Sequence, residues 1–162
     1  MIVAFDFDDT LVKYKYSGLD WDIDYTLFRM IRHLCSRGDK VIIVTARCPL
    51  TSKHIYRHCS CRNHNKLEQF TLKNLHPKVF PRVEDIISYH APFIYPSSDI
   101  YYTDRDLKGD LLSKLNVDVL IDDNELQRDD AESLDIISFH PNEKHEIIKC
   151  LNLKNFFKRN IE

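Results

Sequence analysis

The sequence has no apolar stretch that approaches the roughly 20 residues needed for a membrane-spanning helix, which excludes an ordinary transmembrane segment. Its start shows no basic segment followed by an apolar core and a small-residue cleavage site, so we expect no signal peptide. Five cysteines, an odd number, do not indicate a disulfide framework. Reduced thiols are the simpler interpretation, and we therefore expect a cytoplasmic protein.

The chain also lacks internal repeats and low-complexity linkers. At 162 residues it is long enough to bury a substantial core without disulfides, so we expect a single domain over residues 1–162. Four of its six prolines fall between Leu75 and Ser98. This concentration predicts a small irregular insert around residues 75–98 rather than a second domain.

Apolar segments with two different periods alternate along the chain. The segments with strand character are 2–7, 41–44, 99–103, 117–121 and 135–139, with a weaker candidate at 69–74. The segments with helical character are 26–38, 82–90, 107–115 and 143–151, with a weaker one at 51–61. Helix 107–115 should carry Leu107, Leu111, Leu112 and Leu115. The alternation predicts an α/β fold, a Rossmann-like parallel sheet flanked by helices.

Acidic residues follow two of these predicted strands directly. The first strand leads into Asp6, Asp8 and Asp9, and "VDVLI" leads into Asp122 and Asp123. Because the carboxyl ends of parallel strands meet at one edge of a sheet, we expect these carboxylates to lie together. Such a cluster is tolerable when a cation lies among the acids, and oxygen ligands suit Mg²⁺. The sequence therefore predicts a Mg²⁺ site.

Three further polar residues belong to the same predicted edge. Thr45 ends the second strand, Arg47 follows it, and Lys108 comes a few residues after the strand "DIYYT". Taken alone, Lys108 is as well explained as a solvated lysine at a helix start. Only the joint occurrence of these residues with the acids indicates chemistry.

The segments "DFDDT", "VIIVTAR", "DLKGDLL" and "VLIDDN" resemble, in order and spacing, the four motifs of the haloacid dehalogenase-like phosphohydrolases. The resemblance covers residues 2–124 and implies that family's Rossmann-like fold. It also implies a Mg²⁺-dependent phosphatase that works through an aspartyl-phosphate intermediate. The sequence departs from the family pattern at Asp9, where many members have glycine.

Carried over residue by residue, the resemblance implies a nucleophile at Asp6 and a general acid and base at Asp8. Lys108 would neutralise the nucleophile and the phosphate, and Thr45 would bond a phosphate oxygen. The implied metal-binding residues are Asp6, Phe7 through its carbonyl, Asp8, Asp122 and Asp123. The implied phosphate- or substrate-binding residues are Thr45, Arg47, Lys108 and Asp9.

The substrate class is less constrained than the chemistry. Residues 11–40 should hold a loop and one helix, and 48–98 leave room only for a modest insert, so we expect a minimal cap or none. This is similar to uncapped members of the family such as the phosphatase part of polynucleotide kinase-3′-phosphatase. Between Arg47 and Arg82 the chain carries four lysines and four arginines against the single acid Glu68, with aromatic residues interleaved.

A basic field with aromatic residues suits a nucleic-acid backbone and a stacked base. We therefore expect a nucleotide or nucleic-acid end phosphate as substrate. The alternatives are a phosphatase of small sugar or metabolite phosphates, with the basic segment as solvated surface, and a non-catalytic module that binds nucleic acid or a partner. A separate alternative concerns "HIYRHCSCRNH", in which Cys59, Cys61, His58 and His64 offer zinc ligands without the usual two-residue gap.

Overall fold

The structure is a computed structural model, and it describes residues 1–15, 21–47, 81–104 and 106–153. Its main feature is a five-stranded parallel sheet with the strand order β5-β4-β1-β6-β7. The strands are β1 (Ile2–Phe5), β4 (Lys40–Thr45), β5 (Ile100–Tyr102), β6 (Val119–Ile121) and β7 (Ile137–Phe139). Within the described ranges, no helix is both long and apolar enough to cross a bilayer.

Helices cover both faces of this sheet. They are α1 (Tyr25–Ser36), α2 (Val83–His90), α3 (Pro96–Asp99), α4 (Gly109–Lys114), α5 (Glu125–Glu132) and α6 (Lys144–Cys150). Successive side chains of a strand point to opposite faces, and the core divides accordingly. Val3 and Phe5 of β1 pack with α1, α2 and α6, whereas Ala4 packs with α4 and α5. The predicted Rossmann-like α/β architecture is confirmed at this level.

A two-stranded antiparallel hairpin follows β1, made of β2 (Val12–Tyr14) and β3 (Trp21–Ile23). The expectation that residues 11–40 hold only a loop and one helix is therefore wrong. The hairpin is too short for its alternation to stand out in the sequence, and its register pairs Tyr14 with Trp21. It folds back toward the end of β1, where the amide of Asp24 donates to the Leu11 carbonyl at 2.9 Å.

The other predicted elements inside the described ranges are confirmed, with ends that shift by a few residues. The first strand ends at Phe5, two residues before its predicted end, and helix α4 begins only at Gly109. Leu107 therefore precedes the helix and is 54% exposed, so the prediction that the helix carries it is wrong. Leu112, which was predicted on the same helix, lies on α4 and is fully buried against β1 and β6.

Several predictions fall on residues outside the described ranges. These are the weak helix 51–61, the weak strand 69–74, the Cys59 and Cys61 zinc alternative, and nearly all of the basic segment between Arg47 and Arg82. The expected insert around 75–98 is described only from residue 81 onward, where α2 buries Val83 and Ile87 in the core. The extent of a cap therefore stays a prediction.

Candidate active site

The site lies where the strand order reverses. The chain runs from β1 outward through β4 to β5, then crosses to β6 on the other side of β1. In open α/β sheets the crevice at the carboxyl ends of such neighbouring strands is the usual ligand site. Asp6 leaves β1 and Asp122 leaves β6 at this point, and the Asp6 amide donates to the Ile121 carbonyl at 2.9 Å.

A buried lysine joins these two acids. The Nζ atom of Lys108 donates to Asp6 Oδ1 and to Asp122 Oδ2, each at 2.6 Å. Lys108 and Asp122 are each 1% exposed, and Asp6 is 5% exposed. A charged side chain is this deeply buried only when it is paired, so the two carboxylates are what holds the ammonium in place.

Two side chains of helix α5 fix the backbone at Lys108 by accepting successive amides. The backbone amide of Lys108 donates to Gln127 Oε1 at 2.9 Å, and the next amide, of Gly109, donates to Asp130 Oδ2 at 2.6 Å. A β-carbon on Gly109 would lie 2.5 Å from that Asp130 oxygen. The start of α4 therefore approaches α5 so closely that a β-carbon at residue 109 would displace the side chain of Asp130, and this contact directs the preceding lysine toward the acids.

The loop after β6 is held just as firmly. Asp122 Oδ1 accepts the Asn124 amide, and the Asp122 carbonyl accepts Arg128 Nη1, both at 2.9 Å. The Asp123 amide donates to the Thr10 hydroxyl at 3.2 Å. One carboxylate oxygen from each of Asp6, Asp122 and Asp123 lies within 4.8 Å of the others. Three acids from two strand ends thus converge on one point.

The carboxylates of this cluster outnumber its one ammonium, and they shift one another's pKa values. Burial raises the pKa of Asp6 well above its ordinary value, the charges of Asp122 and Asp8 raise it further, and Lys108 opposes them. Burial and Asp122 likewise raise the pKa of Asp123. Burial would lower the pKa of Lys108, but the two bridged carboxylates outweigh it and raise that pKa. Three carboxylates against one ammonium leave a formal excess of two negative charges.

Asp8 is engaged by a second network. Arg47 Nε donates to Asp8 Oδ2 at 2.6 Å, Arg47 Nη2 donates to Oδ1 at 2.5 Å, and the Tyr14 hydroxyl donates to Oδ1 at 2.6 Å. The guanidinium also donates to the Pro81 carbonyl at 3.0 Å and lies 4.6 Å from the centre of the Phe7 ring. Arg47 is 7% exposed, so in this arrangement its donors orient Asp8 rather than face open solvent.

The remaining predicted residues have distinct placements. Asp9 lines the cavity in the left-handed backbone region, with φ of 55°. Thr45 is fully buried, and its hydroxyl oxygen accepts the Arg47 amide at 3.3 Å. Of the loop residues that the structure describes, Ala46 lines the cavity. The Phe7 carbonyl accepts the amides of Leu11 and Val12, both at 3.0 Å, which uses both of its acceptor positions.

Sequence reasoning missed three side chains that shape the site. Tyr14 reaches Asp8 from the hairpin, Lys13 donates to the Asp9 carbonyl, and Gln127 holds the Lys108 amide. The segment "LVKY" after the acid cluster offered a weak strand signal for the first two. Nothing local identified Gln127, because its partner lies 19 residues away on another helix.

The cavity at this edge measures about 150 Å³, opens to solvent and is lined mainly by polar residues. Its lining residues in the described ranges are Asp6, Asp8, Asp9, Ala46, Lys108, Asp122, Asp123, Asn124 and Gln127. Oxygen-only ligands, close spacing and an excess of two negative charges suit a hard divalent cation such as Mg²⁺. Asp6, Asp122 and Asp123 are the side chains that fit it, whereas both oxygens of Asp8 are already engaged by Arg47 and Tyr14.

Comparison of the chain with protein-family models and with curated proteins found no match.

Proposed function

We propose that the protein is a Mg²⁺-dependent phosphomonoesterase of the haloacid dehalogenase-like type, which transfers the phosphoryl group to Asp6 and then to water. The observation that carries this proposal is the buried Lys108 ammonium, held 2.6 Å from both Asp6 and Asp122 beside a third acid and an open cavity. A fixed ammonium beside a carboxylate nucleophile is the arrangement that an incoming anionic substrate needs.

The lysine favours a phosphatase over a module that merely holds metal. An ammonium between two candidate ligands weakens cation binding, because it occupies carboxylate lone pairs and repels the ion. For metal binding itself Lys108 is therefore a cost, whatever it adds to the stability of the fold. A phosphate ester, in contrast, brings negative charge next to Asp6, and a fixed cation offsets the repulsion between them.

The chain's own residues account for the two steps. Asp6 Oδ attacks phosphorus, the bond to the leaving oxygen breaks, and Asp8 supplies a proton to that oxygen. A water molecule then gives a proton to Asp8 and attacks the aspartyl phosphate, which releases phosphate and regenerates Asp6. When bound, Mg²⁺ supplies charge neutralisation of the phosphate oxygens. Asp8 must be protonated for the first step, and its contacts with Arg47 and Tyr14 suit the carboxylate form that receives the proton of water in the second.

A nucleotide or nucleic-acid end phosphate is the substrate class that we propose, because of the basic residues between Arg47 and Arg82. A small sugar or metabolite phosphate is the second candidate. The cavity of about 150 Å³ is compatible with either class, because it accommodates the phosphoryl group and leaves the rest of the substrate outside.

The test is a phosphate-release screen with Mg²⁺ on phosphorylated oligonucleotides, mononucleotides, sugar phosphates and p-nitrophenyl phosphate. We expect activity that chelator abolishes, and a loss of about three orders of magnitude or more in Asp6→Asn, as for other nucleophile replacements. The matched control is Asp135→Asn, at an exposed turn outside the site. Borohydride trapping of the aspartyl phosphate and mass spectrometry should locate it at residue 6. Absence of turnover on every substrate class, or full activity in Asp6→Asn, would overturn the proposal.

A further inference from the structure

The cavity at the carboxyl edge has few side chains that can donate a hydrogen bond. Its lining in the described ranges includes five carboxylates, Lys108, and the side-chain amides of Asn124 and Gln127. Lys108 Nζ already directs two of its three N–H groups to Asp6 and Asp122. A phosphate dianion offers only acceptor oxygens, so it needs donors here in addition to any metal. The two amides are the uncharged side chains of this lining that can supply them.

The Gln127 side chain is 6% exposed, and a backbone amide fixes its orientation. Its Oε1 accepts the Lys108 amide at 2.9 Å, and turning the side-chain amide over would make two donors face each other. Nε2 is therefore the end that can bind a ligand. Its acceptor among the described residues is the Asp106 carbonyl at 3.4 Å, beyond the usual limit of about 3.2 Å for such a bond. Within the described part of the chain, at least one N–H of this buried amide thus has no acceptor.

Asn124 repeats this arrangement one helical turn earlier. It is the N-cap of α5, and its Oδ1 accepts the Leu126 amide at 3.0 Å. Its Nδ2 has no acceptor among the residues that the structure describes, and the side chain is exposed where the cavity meets solvent. Positions three residues apart lie on one side of a helix. The first turn of α5 therefore brings two amide nitrogens to one cavity, while each amide oxygen is bound to a backbone N–H.

Direct hydrogen bonds tie both residues to the cluster at which the proposed reaction occurs. The backbone amide of Asn124 donates to Asp122 Oδ1 at 2.9 Å. The Gln127 oxygen holds the backbone of Lys108, whose Nζ lies 2.6 Å from Asp6 Oδ1. A shift of α5 would therefore move the two amides together with Lys108 and Asp122, so the spacing between the donors and the reacting carboxylate is fixed by the fold.

We propose that Gln127 Nε2 and Asn124 Nδ2 donate to the non-bridging oxygens of the transferred phosphoryl group, and we name these two residues the amide pair. The inference rests on the proposed function, because it places a phosphate beside Asp6. An amide suits this position, since it adds donors without a further positive charge that would repel the cation. The family resemblance implies this task for Thr45, but Thr45 is fully buried and is not among the lining residues of the described ranges.

The alternative for Gln127 is a purely structural role, in which it acts only by positioning Lys108. The two roles differ in their effect on the cation site. Loss of a donor to phosphate weakens phosphate binding and leaves the acid cluster unchanged. Displacement of Lys108 removes an ammonium from between Asp6 and Asp122, so it should strengthen Mg²⁺ binding. The apparent Mg²⁺ affinity therefore separates a contact with phosphate from an effect through Lys108.

The experiment measures the affinity of the full chain for inorganic phosphate and for orthovanadate, by calorimetry with Mg²⁺. Neither ligand carries a leaving group, so the measurement reports contacts with the phosphoryl oxygens alone. Gln127→Met removes the donor and preserves most of the side-chain volume, and both affinities should fall about tenfold to hundredfold, as for a lost hydrogen bond to a charged group. Asn124→Ser keeps a good N-cap without the amide nitrogen, and both affinities should fall about threefold to tenfold at this exposed position.

The matched control is Leu126→Gln, because Leu126 is 69% exposed on the same turn of α5 and is not a lining residue. It should change neither affinity. Thermal unfolding across a Mg²⁺ titration gives the apparent Mg²⁺ affinity of each variant, which should stay close to that of the wild type. The kcat/KM values for p-nitrophenyl phosphate and for an alkyl phosphate should fall by the same factor in Gln127→Met, because the lost contact is to the transferred group.

Phosphate and vanadate affinities that neither variant lowers would overturn the inference. A loss in Gln127→Met accompanied by tighter Mg²⁺ binding would also overturn it, because Gln127 would then act through Lys108. If Gln127→Met does not fold, Asn124→Ser decides by the same measurement, since its helix cap is intact. The failure of the proposed function looks different: the wild type would bind both anions through the amide pair and hydrolyse no ester. Hydrolysis combined with anion binding that is independent of the amide pair would overturn this inference alone.

Discussion

Replacement of Lys108 by methionine removes the ammonium between Asp6 and Asp122 while preserving most of the side chain's volume. Lys108 is 1% exposed, so bulk water cannot solvate the two carboxylates in its place. Breaking a buried ion pair from one side costs about 3–5 kcal/mol. For a chain of this size that cost lowers the melting temperature by roughly 6–20 °C, at 2–4 °C per kcal/mol.

Magnesium should reverse part of this loss. The ammonium and a divalent cation compete for the same carboxylate oxygens, so Lys108→Met should bind Mg²⁺ more tightly than the wild type and gain more stability from it. Phosphate release should nevertheless fall, by about 10²-fold or more, because the phosphate loses its fixed cation. Tighter metal binding combined with lower activity is the signature that distinguishes a phosphatase from a metal-holding module.

The assay is thermal unfolding in chelator and across a Mg²⁺ titration, with phosphate release measured on the same samples. The control is Lys114→Met, on the same helix α4 but exposed. It should change neither the melting temperature nor the apparent Mg²⁺ affinity appreciably. A Lys108→Met protein that is as stable as the wild type in chelator, or that binds Mg²⁺ more weakly, would refute the reasoning that this lysine balances the acid cluster.

Three further predictions concern the residues around the site. Tyr14→Phe removes a hydrogen bond that positions Asp8. Hydrolysis of an alkyl phosphate, which has a poor leaving group, should then fall severalfold more than hydrolysis of p-nitrophenyl phosphate. Equal losses on the two substrates would contradict the role of Asp8 as the acid. Gly109→Ala forces a β-carbon against Asp130, and urea unfolding should show a loss of about 1–3 kcal/mol, whereas unchanged stability would mean that α5 does not constrain α4. Burial lowers the pKa of His90 below its ordinary 6.5, so the unfolded chain binds that proton more readily and stability falls as the pH drops through 6.5. His90→Phe should therefore lose less stability than the wild type between about pH 7.5 and pH 5, and parallel losses would exclude the histidine as the cause.

Much of the sheet was predictable from local pattern. The β-branched run at Val41–Val44 and the apolar start of the chain became interior strands, because a strand buried on both faces must be apolar along its whole length. The acids were predictable for a related reason. Asp6 and Asp122 each interrupt an apolar run, and a parallel sheet brings the carboxyl ends of its strands to one edge whatever the strand order.

The pairing of polar side chains could not be predicted from local sequence pattern. Lys108 lies 102 residues from Asp6, and Arg47 lies 39 residues from Asp8. Arg47 looked like a substrate ligand in the sequence, but in the folded protein it crosses to Asp8 and to the hairpin residue Tyr14. A periodic pattern encodes which face of an element is buried, and it carries no information about which polar group comes to lie opposite.

Strand order is what decided those pairings. The crossover from β5 to β6 brings Asp122 beside Asp6, and it lets helix α5 hold Gly109 and thereby direct Lys108 inward. Local hydrophobic periodicity determined the elements, and the long-range packing of those elements determined the charges that each acid meets.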